Sequence, residues 1–396
     1  MNRILKAVSP LFLALLAVSC SDDTTVSPAV GPDDSGKVNF EINVYAGDPE
    51  DTGSRTSRAI DQDGYDYSYE EPTYPAENMH TLRVIIVNNE TGDNDYNKVE
   101  ANEYLYRAFP QDGSSRFTGI RIKLDPGKKR VYLIANEASI AALNPATDFN
   151  KCLIGTTFTS AMMEDVIISG EPGKPIIDNT GTEKLNIPMT EEFDVTIKTP
   201  ETDEDYYQSA DLFITRALVK FSFTAKATEA PQLKFTIDEL TISSVADREY
   251  LLPTSTVYDP AKYPVSWDNR YITAYDVPAD ATVTDYVFPD AEFEFTTGYT
   301  VGNLYTYAPE LYFAETRLPA DPQEYILTLR MTEYSEVTGR NESYTVRRTL
   351  PNLPSLPRNT HVKINLTLTG GRLDCVVDVL PYTGVFLNPD FGIDRP

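Results

Sequence analysis

The feature that most constrains the fold is a short stretch in which apolar and polar side chains alternate. It covers residues 38–45 and reads Val-Asn-Phe-Glu-Ile-Asn-Val-Tyr. A period of two places alternate side chains on opposite faces of an extended chain. We therefore predict a β-strand with one buried face. That face would consist of the four apolar residues Val38, Phe40, Ile42 and Val44.

A loop with two arginines follows this strand. Residues 46–58 have no apolar period and are rich in glycine, serine, threonine and acidic residues, with Arg55 and Arg58 near the end. Segments of this composition form exposed loops, and exposed loop tips are where proteases cut folded chains. We therefore predict a protease-accessible segment between the first strand and the remaining sequence.

The N-terminus carries an export signal. Residues 1–19 combine two basic residues with the apolar run Leu11–Val18, which is too short to span a bilayer. The run ends in Leu-Ala-Val-Ser before Cys20, which resembles the lipobox of bacterial lipoproteins. Cys20 is therefore the predicted lipidation site, and its acyl chains would hold the precursor in a membrane. An ordinary secretory peptide with an incidental cysteine is the alternative.

Composition limits the possible partners and the class of protein. The formal net charge is −26, so nucleic acids and anionic membrane surfaces are poor partners. The 25 tyrosines and 28 prolines favour a β-rich extracellular protein over a helical one. Beyond the lipobox, Cys152 and Cys375 could form a disulfide or remain lone buried thiols. A hydrophobic core must therefore hold the fold.

The remaining sequence predicts an all-β protein with about two domains. Runs of β-forming residues separated by turn residues predict strands at 81–87, 117–124, 130–136, 193–197, 216–225, 233–243, 325–331, 343–348, 362–368 and 373–380. Residues 159–164 are predicted to form a short helix. The acidic, proline-containing segment 198–211 indicates a boundary between domains.

Enzymatic chemistry is not expected from this sequence. The two histidines, His80 and His361, are far apart and lie beside predicted strands. The sequence lacks the HExxH and GxSxG motifs and any cysteine–histidine cluster of the kind that binds zinc. We predict no catalytic residue, no cofactor and no metal site.

Six features of the chain occur together: the lipobox at Cys20, the early strand before an arginine, residues 82–93, residues 128–136, residues 216–221 and residues 356–362. Together they resemble the fimbrillins, the subunits of type V pili. The resemblance implies two tandem transthyretin-like β-sandwich domains behind a lipoprotein signal peptide and a pro-strand. The predicted segments are 1–19 (signal peptide), 20–58 (lipidated propeptide), 59–211 (N-terminal domain) and 212–396 (C-terminal domain).

The resemblance also implies a route to the assembled fimbrium. The chain would be exported as an outer-membrane lipoprotein and cut after an arginine by an Arg-specific surface protease. The bond between Arg58 and Ala59 resembles the family's cut site better than the one after Arg55. Removal of the first strand would unplug a groove, and a strand from another fimbrial subunit would fill it. The candidate donor residues are Leu373, Cys375, Val377 and Val379, or Val385 and Leu387.

Two alternatives stay open. The chain could be an uncleaved, permanently lipidated anchor or assembly protein at the base of a pilus. It could instead be a glycan-binding surface lipoprotein that uses the tyrosine-rich residues 244–312.

Overall fold

The computed structural model describes residues 36–46, 74–228, 234–252, 277–289, 291–295, 300–316, 325–335, 338–349, 356, 358–369 and 372–381. Several predicted site residues lie outside these ranges, namely Cys20, Arg55, Arg58, Ala59, Val385 and Leu387.

The predicted all-β fold is confirmed. The strands are β1 Val38–Tyr45, β2 Leu82–Asn88, β3 Val99–Leu105, β4 Arg116–Leu124, β5 Gly127–Ala135, β6 Ile167–Ser169, β7 Ile177–Asp178, β8 Met189–Ile197, β9 Tyr207–Phe213, β10 Thr215–Arg216, β11 Val219–Ala227, β12 Lys234–Ala246, β13 Arg248–Tyr250, β14 Val283–Phe288, β15 Phe293–Phe295, β16 Tyr305–Tyr307, β17 Leu311–Phe313, β18 Ile326–Ser335, β19 Arg340–Thr349, β20 Thr360–Thr369 and β21 Arg372–Pro381. Helix α1 spans Glu137–Leu143, and short 3-10 helices occupy Pro75–Glu77, Phe149–Lys151, Ser160–Met162 and Asp203–Tyr206.

The first sandwich consists of a three-stranded and a five-stranded sheet. One sheet has the order β4-β1-β9, and the other has the order β10-β8-β5-β2-β3. Alternating apolar side chains from both sheets fill the space between them, including Val84 and Ile86 of β2 and Val131 and Leu133 of β5. Strand β2 is buried along its whole length, because its second face is covered too. Such a strand reads as a continuous apolar run.

The second sandwich has an aromatic core. Its sheets have the orders β21-β20-β11-β17-β7 and β14-β12-β18-β19, with β16 pairing β11 and β15 pairing β12. The rings of Phe223 and Phe288 meet edge to face with their centroids 4.7 Å apart, and those of Phe221 and Phe313 do so at 5.5 Å. Edge-to-face contacts add about 0.5–1.5 kcal/mol per pair to the apolar burial. The predicted hairpin of residues 325–348 corresponds to β18 and β19.

Two local predictions are wrong. The strand predicted over 216–225 is two strands, because Leu218 between them adopts the left-handed backbone conformation with φ of 77°. That turn ends the first sandwich and buries the Leu218 side chain. The helix predicted over 159–164 is a single 3-10 turn, Ser160–Met162, and the side chain of its N-cap residue Thr159 accepts no capping hydrogen bond.

A third apolar layer joins the two sandwiches. It contains Ile85 and Ile134 from the outer face of the five-stranded sheet, Ile140 of α1, Leu251, and Tyr312 of β17. The predicted division at residue 211 stays a prediction. β9, which spans residue 211, and β10, which follows it, both pair with strands of the first sandwich.

A buried ion pair crosses between the sandwiches. Glu77, just before β2, is fully buried, and its Oε1 accepts hydrogen bonds from Lys220 Nζ at 2.9 Å and from the Tyr312 hydroxyl at 2.8 Å. The Glu77 carbonyl accepts a bond from Arg216 Nε at 2.6 Å, and Lys220 Nζ lies 4.2 Å from the centre of the Tyr74 ring. Residues 74–77 are thus fastened to the second sandwich.

A second buried cluster contains one arginine and two carboxylates. Arg358 Nε donates to Glu315 Oε1 at 2.7 Å, and Arg358 Nη2 lies 3.9 Å from Glu249 Oε1. Arg358 also donates to the carbonyls of Tyr250 and Leu251. Glu249 Oε1 is buried and makes no hydrogen bond within the described residues. One arginine therefore faces more negative charge than it can balance.

This cluster predicts that stability falls as pH rises. Burial raises the pKa of Glu249 to about 8, although Arg358 opposes the shift. The folded chain then keeps a proton that the unfolded chain loses above its ordinary pKa of 4.5, so this stabilisation is complete below pH 4.5 and is lost as pH approaches 8. Glu249→Gln should flatten the decline and raise the free energy of unfolding at pH 8 by on the order of 1–3 kcal/mol. Urea unfolding at pH 5, 6.5 and 8 measures this.

The matched control is Glu103→Gln, since Glu103 is exposed on β3. Its curve should stay parallel to that of the unsubstituted protein. A Glu249→Gln curve that also stays parallel would contradict the prediction.

Candidate functional site

The candidate site is the place of β1 in the first sandwich. β1 is the middle strand of its sheet, antiparallel to β4 and parallel to β9. Its backbone is paired on both sides from residue 39 to residue 45, except that Asn43 lies where the pairing with β4 shifts. Within the described residues, β4 and β9 have no pairing with each other. Without β1 the sheet would therefore consist of two separated strands.

The inner face of β1 lies in the core of the sandwich. Its side chains alternate between buried and half-buried, as the sequence predicts for a strand. Val38, Ile42 and Val44 are 0% exposed and Phe40 is 2% exposed. Full burial of such a side chain contributes about 1.5–3 kcal/mol. These four residues fill one side of the core, and their role as a removable plug stays a prediction.

The outer face of β1 contacts both neighbouring strands through Asn43. Its Oδ1 accepts a hydrogen bond from Gly119 N of β4 at 2.9 Å, and its Nδ2 donates to Asp211 Oδ1 of β9 at 2.7 Å. Glu41 forms an exposed ion pair with Arg121 at 2.8 Å, which contributes little because water screens it.

A β-bulge explains the contact with Gly119. The pairing of β1 with β4 shifts between Ile42, opposite Ile120, and Val44, opposite Phe117, so two residues of β4 face Asn43. Gly119 has φ of 80°, a conformation that glycine adopts without strain. Its N–H donates to the Asn43 side chain. The bulge in β4 and the side chain of Asn43 therefore meet only when β1 and β4 pair in the observed register.

Both predicted cleavage sites lie on the only stretch of chain that leads from β1 to the rest of the protein. Residue 46 is the last described residue after β1, and the description resumes at Tyr74. Arg55 and Arg58 fall between them, outside the described residues. Cutting either bond would leave β1 held to the body by non-covalent contacts alone.

The two sets of predicted donor residues stand differently. Strand β21 includes Leu373, Cys375, Val377 and Val379, and it pairs along its length with β20 at the edge of its sheet. Val385 and Leu387 lie outside the described residues. Nothing described tests either set as a donor. β21 would have to give up its pairing with β20 to serve another molecule.

Other residues singled out in the sequence have structural surroundings. His80 Nε2 lies 2.8 Å from the Pro75 carbonyl, and His361 Nε2 lies 2.7 Å from Ser222 Oγ in the core. Cys152 is a free, buried thiol, and burial raises its pKa. Within the described ranges no group of side chains could hold a metal ion, and no helix there has the length and apolar character to cross a membrane.

The sequence matches no family model, and no curated protein is significantly similar to it. Comparison with solved structures finds matches that extend over most of the chain. A candidate cell adhesion protein from Parabacteroides distasonis is 11% identical, with 88% of this chain and 98% of that chain covered and a TM-score of 0.51. The C-terminally truncated tip fimbrial protein Mfa3 from Porphyromonas gingivalis is 11% identical, with 87% and 99% covered and a TM-score of 0.46. A candidate cell adhesion protein from Bacteroides eggerthii is 14% identical, with 88% and 97% covered and a TM-score of 0.45. The Parabacteroides structure shows the likeness in fold.

Sequence reasoning missed one of the two strands that flank β1. Residues 207–211 are predicted from sequence to belong to a domain boundary, yet they begin β9 and pair with β1. The strand alternates exposed residues with the half-buried Gln208 and Ala210, and these are not apolar enough to give a period-two signal. The contact of Asn43 with Gly119 and Asp211 has no sequence signal either, because it depends on the register.

We expect Ile42→Ala to destabilise the uncut protein by about 2–5 kcal/mol, because it leaves a cavity in a filled core. Urea unfolding of the chain from residue 21 onward measures the change. The matched control is Glu41→Ala on the half-exposed face of the same strand, which should cost less than about 1 kcal/mol. Equal costs for the two variants would show that β1 is not packed as described.

Proposed function

We propose that this protein is a structural subunit of a cell-surface fimbrium of the type V pilus kind, which supports adhesion. The observation that carries the proposal is the position of β1. A strand in the middle of a sheet, with its inner face in the core, is joined to the body through a segment with two candidate cleavage sites. The likeness in fold to a candidate cell adhesion protein supports the same class.

Assembly follows from the loss of β1. Its removal uncovers an apolar slot and leaves β4 and β9 with unpaired edges, an arrangement that pairs readily with another chain. A strand from a neighbouring subunit fills the apolar slot and pairs with both strand edges at the same time. Before cleavage, β1 is tethered and competes at a high effective concentration. Cutting the tether removes that advantage, so exchange proceeds only after processing.

Processing starts at the membrane. A lipid on Cys20 holds the precursor in the outer membrane during export, and an Arg-specific surface protease then cuts after Arg58. The lipid and β1 leave together, since both precede the cut. The new N-terminus at Ala59 leads to Tyr74–Glu77, which the Glu77–Lys220 ion pair fastens to the second sandwich. The two sandwiches thus keep their contact after β1 has gone.

We expect Arg58→Ala to block conversion of the precursor, because the preferred cut site is lost. Limited treatment with an Arg-specific protease should then give no chain that begins at Ala59 and, once Arg55→Ala is added to remove the alternative cut, no polymers. N-terminal sequencing and size-exclusion chromatography measure the two effects. Arg55→Ala is the matched control and should be processed normally.

Two outcomes would contradict this prediction. Polymers that form from an uncut Arg58→Ala chain would show that exchange needs no processing. A mature chain that still carries residues 38–45 in the polymer would identify an anchor or assembly protein instead.

A glycan-binding role is the second candidate, favoured by an exposed pair of tyrosines at the end of β3. The rings of Tyr104 and Tyr106 stack with centroids 5.6 Å apart and are 38% and 49% exposed. Tyr104 also lines a depression of about 150 Å³ with Asp148 and Asn150. A volume of this size accommodates one six-membered ring, and aromatic rings with a few polar groups are typical of small-ligand sites.

If this role is correct, the double substitution Tyr104→Ser and Tyr106→Ser should abolish retention of the monomer on a mucin-coated surface. The matched control is Tyr96→Ser, a lone tyrosine that is 47% exposed. Surface plasmon resonance measures retention. Absence of binding by the unsubstituted monomer would remove the glycan-binding candidate and leave the fimbrial one untouched.

A further inference from the structure

We infer that Asn43 sets the register of whichever strand occupies the groove between β4 and β9, and that an incoming donor must carry an asparagine at the same position. The inference rests on the proposed function and deepens it, because it identifies the chemistry that selects the partner strand. The inference concerns the outer face of β1, which carries Asn43. The predicted plug residues lie on the inner face.

The apolar face alone cannot fix the register of a donor. A slip of one residue turns every side chain to the opposite face, so burial excludes it. A slip of two residues keeps apolar side chains facing the core, and alternation alone does not exclude it. Some other feature of the groove must reject such a slip.

The bulge in β4 supplies that feature. It occurs once, between the residues opposite Ile42 and Val44, and it directs the N–H of Gly119 to the Asn43 side chain. On the other side of β1, the carboxylate of Asp211 accepts from the same side chain. A hydrogen-bond donor and an acceptor of the groove thus meet at one position of the occupying strand. A slip of two residues moves the asparagine away from both.

An amide is the side chain that satisfies both groups from that position. Asparagine has a carbonyl oxygen to accept from Gly119 and an NH₂ group to donate to Asp211, at the observed 2.9 and 2.7 Å. Aspartate has the same shape but no donor, and its charge would face that of Asp211. Opposed like charges on neighbouring strands are destabilising. The groove therefore discriminates asparagine from aspartate.

This criterion separates the two candidate donor segments. If Val377 of β21 takes the place of Ile42, Asp378 falls at the position of Asn43 and faces Asp211. If Leu387 of the C-terminal tail takes that place, Asn388 falls at the position of Asn43. Pro389 then falls at the position of Val44, whose backbone is paired with both β4 and β9. Because proline has no N–H for such a ladder, the tail would pair as far as Asn388 and no further. The asparagine criterion therefore selects the tail of a second copy, residues 383–389, as the occupant.

Strand complementation by synthetic peptides tests the inference. The protein from residue 21 onward is cut after Arg58 in the presence of fluorescent peptides, and fluorescence anisotropy measures binding. The peptides are residues 382–390, the same peptide with Asn388→Asp, residues 372–380, and the β1 peptide of residues 37–46 with and without Asn43→Asp. We expect the two aspartate peptides and the 372–380 peptide to bind at least ~10-fold more weakly than their asparagine counterparts, a factor equal to about 1.4 kcal/mol.

A change in the groove supplies the reciprocal test. Asp211→Asn removes the charge that opposes an aspartate, and it should restore at least part of the binding of the Asn388→Asp peptide. A defect in peptide folding or solubility would not be rescued in this way. Asp203→Asn, at an exposed aspartate in the 3-10 helix just before β9, is the matched control and should change nothing.

The outcomes separate this inference from the proposed function. If the β1 peptide does not bind the cut protein, the groove does not open and the proposed function fails. If the asparagine and aspartate peptides bind equally well, strand exchange stands and the register role of Asn43 is overturned. Tighter binding of residues 372–380 than of residues 382–390 would overturn the choice of the tail.

Discussion

The first sandwich depends on a single strand that closes one of its sheets. β4 and β9 each pair with β1, and the core of this sandwich is closed by the four apolar residues of β1. Most strands in such a fold are held by the chain on both sides. β1 is joined to the body at one end, through residues that also carry the two arginines. The strand that completes the core is therefore also the strand that the proposed cleavage would release.

The two sandwiches are held together by apolar packing and by buried ionic contacts. An apolar layer of their own lies between them, and two buried ionic clusters are set around it. Buried ion pairs contribute little net stability, because desolvation offsets their attraction, but breaking one is costly. They therefore fix the relative position of parts that an apolar layer alone would allow to slide. Glu77 brings the segment that follows the two predicted cleavage sites into this arrangement.

Strands with a clear pattern of apolar residues were predictable from sequence. Strands and contacts that depend on pairing with distant parts of the chain were not. The alternation in residues 38–45 and the apolar run before Ala135 give β1 and β5 directly, because each pattern reports the burial of one or both faces. β9 was not predictable, since Gln208 and Ala210 occupy positions where a core strand would have large apolar residues. Leu218 was missed because a leucine carries no local signal for a left-handed turn. The contact of Asn43 with two other strands requires the register, which the sequence of one strand does not contain.

The direction of β1 has a mechanical consequence. Hydrogen bonds in its antiparallel ladder with β4 run perpendicular to the strand, and the ladder with β9 continues along nearly the same length. Tension along the strand axis therefore loads many bonds in shear together, whereas a pull at right angles would peel them one by one. A filament whose links occupied this slot in this direction would bear load along its length and come apart most easily from the side.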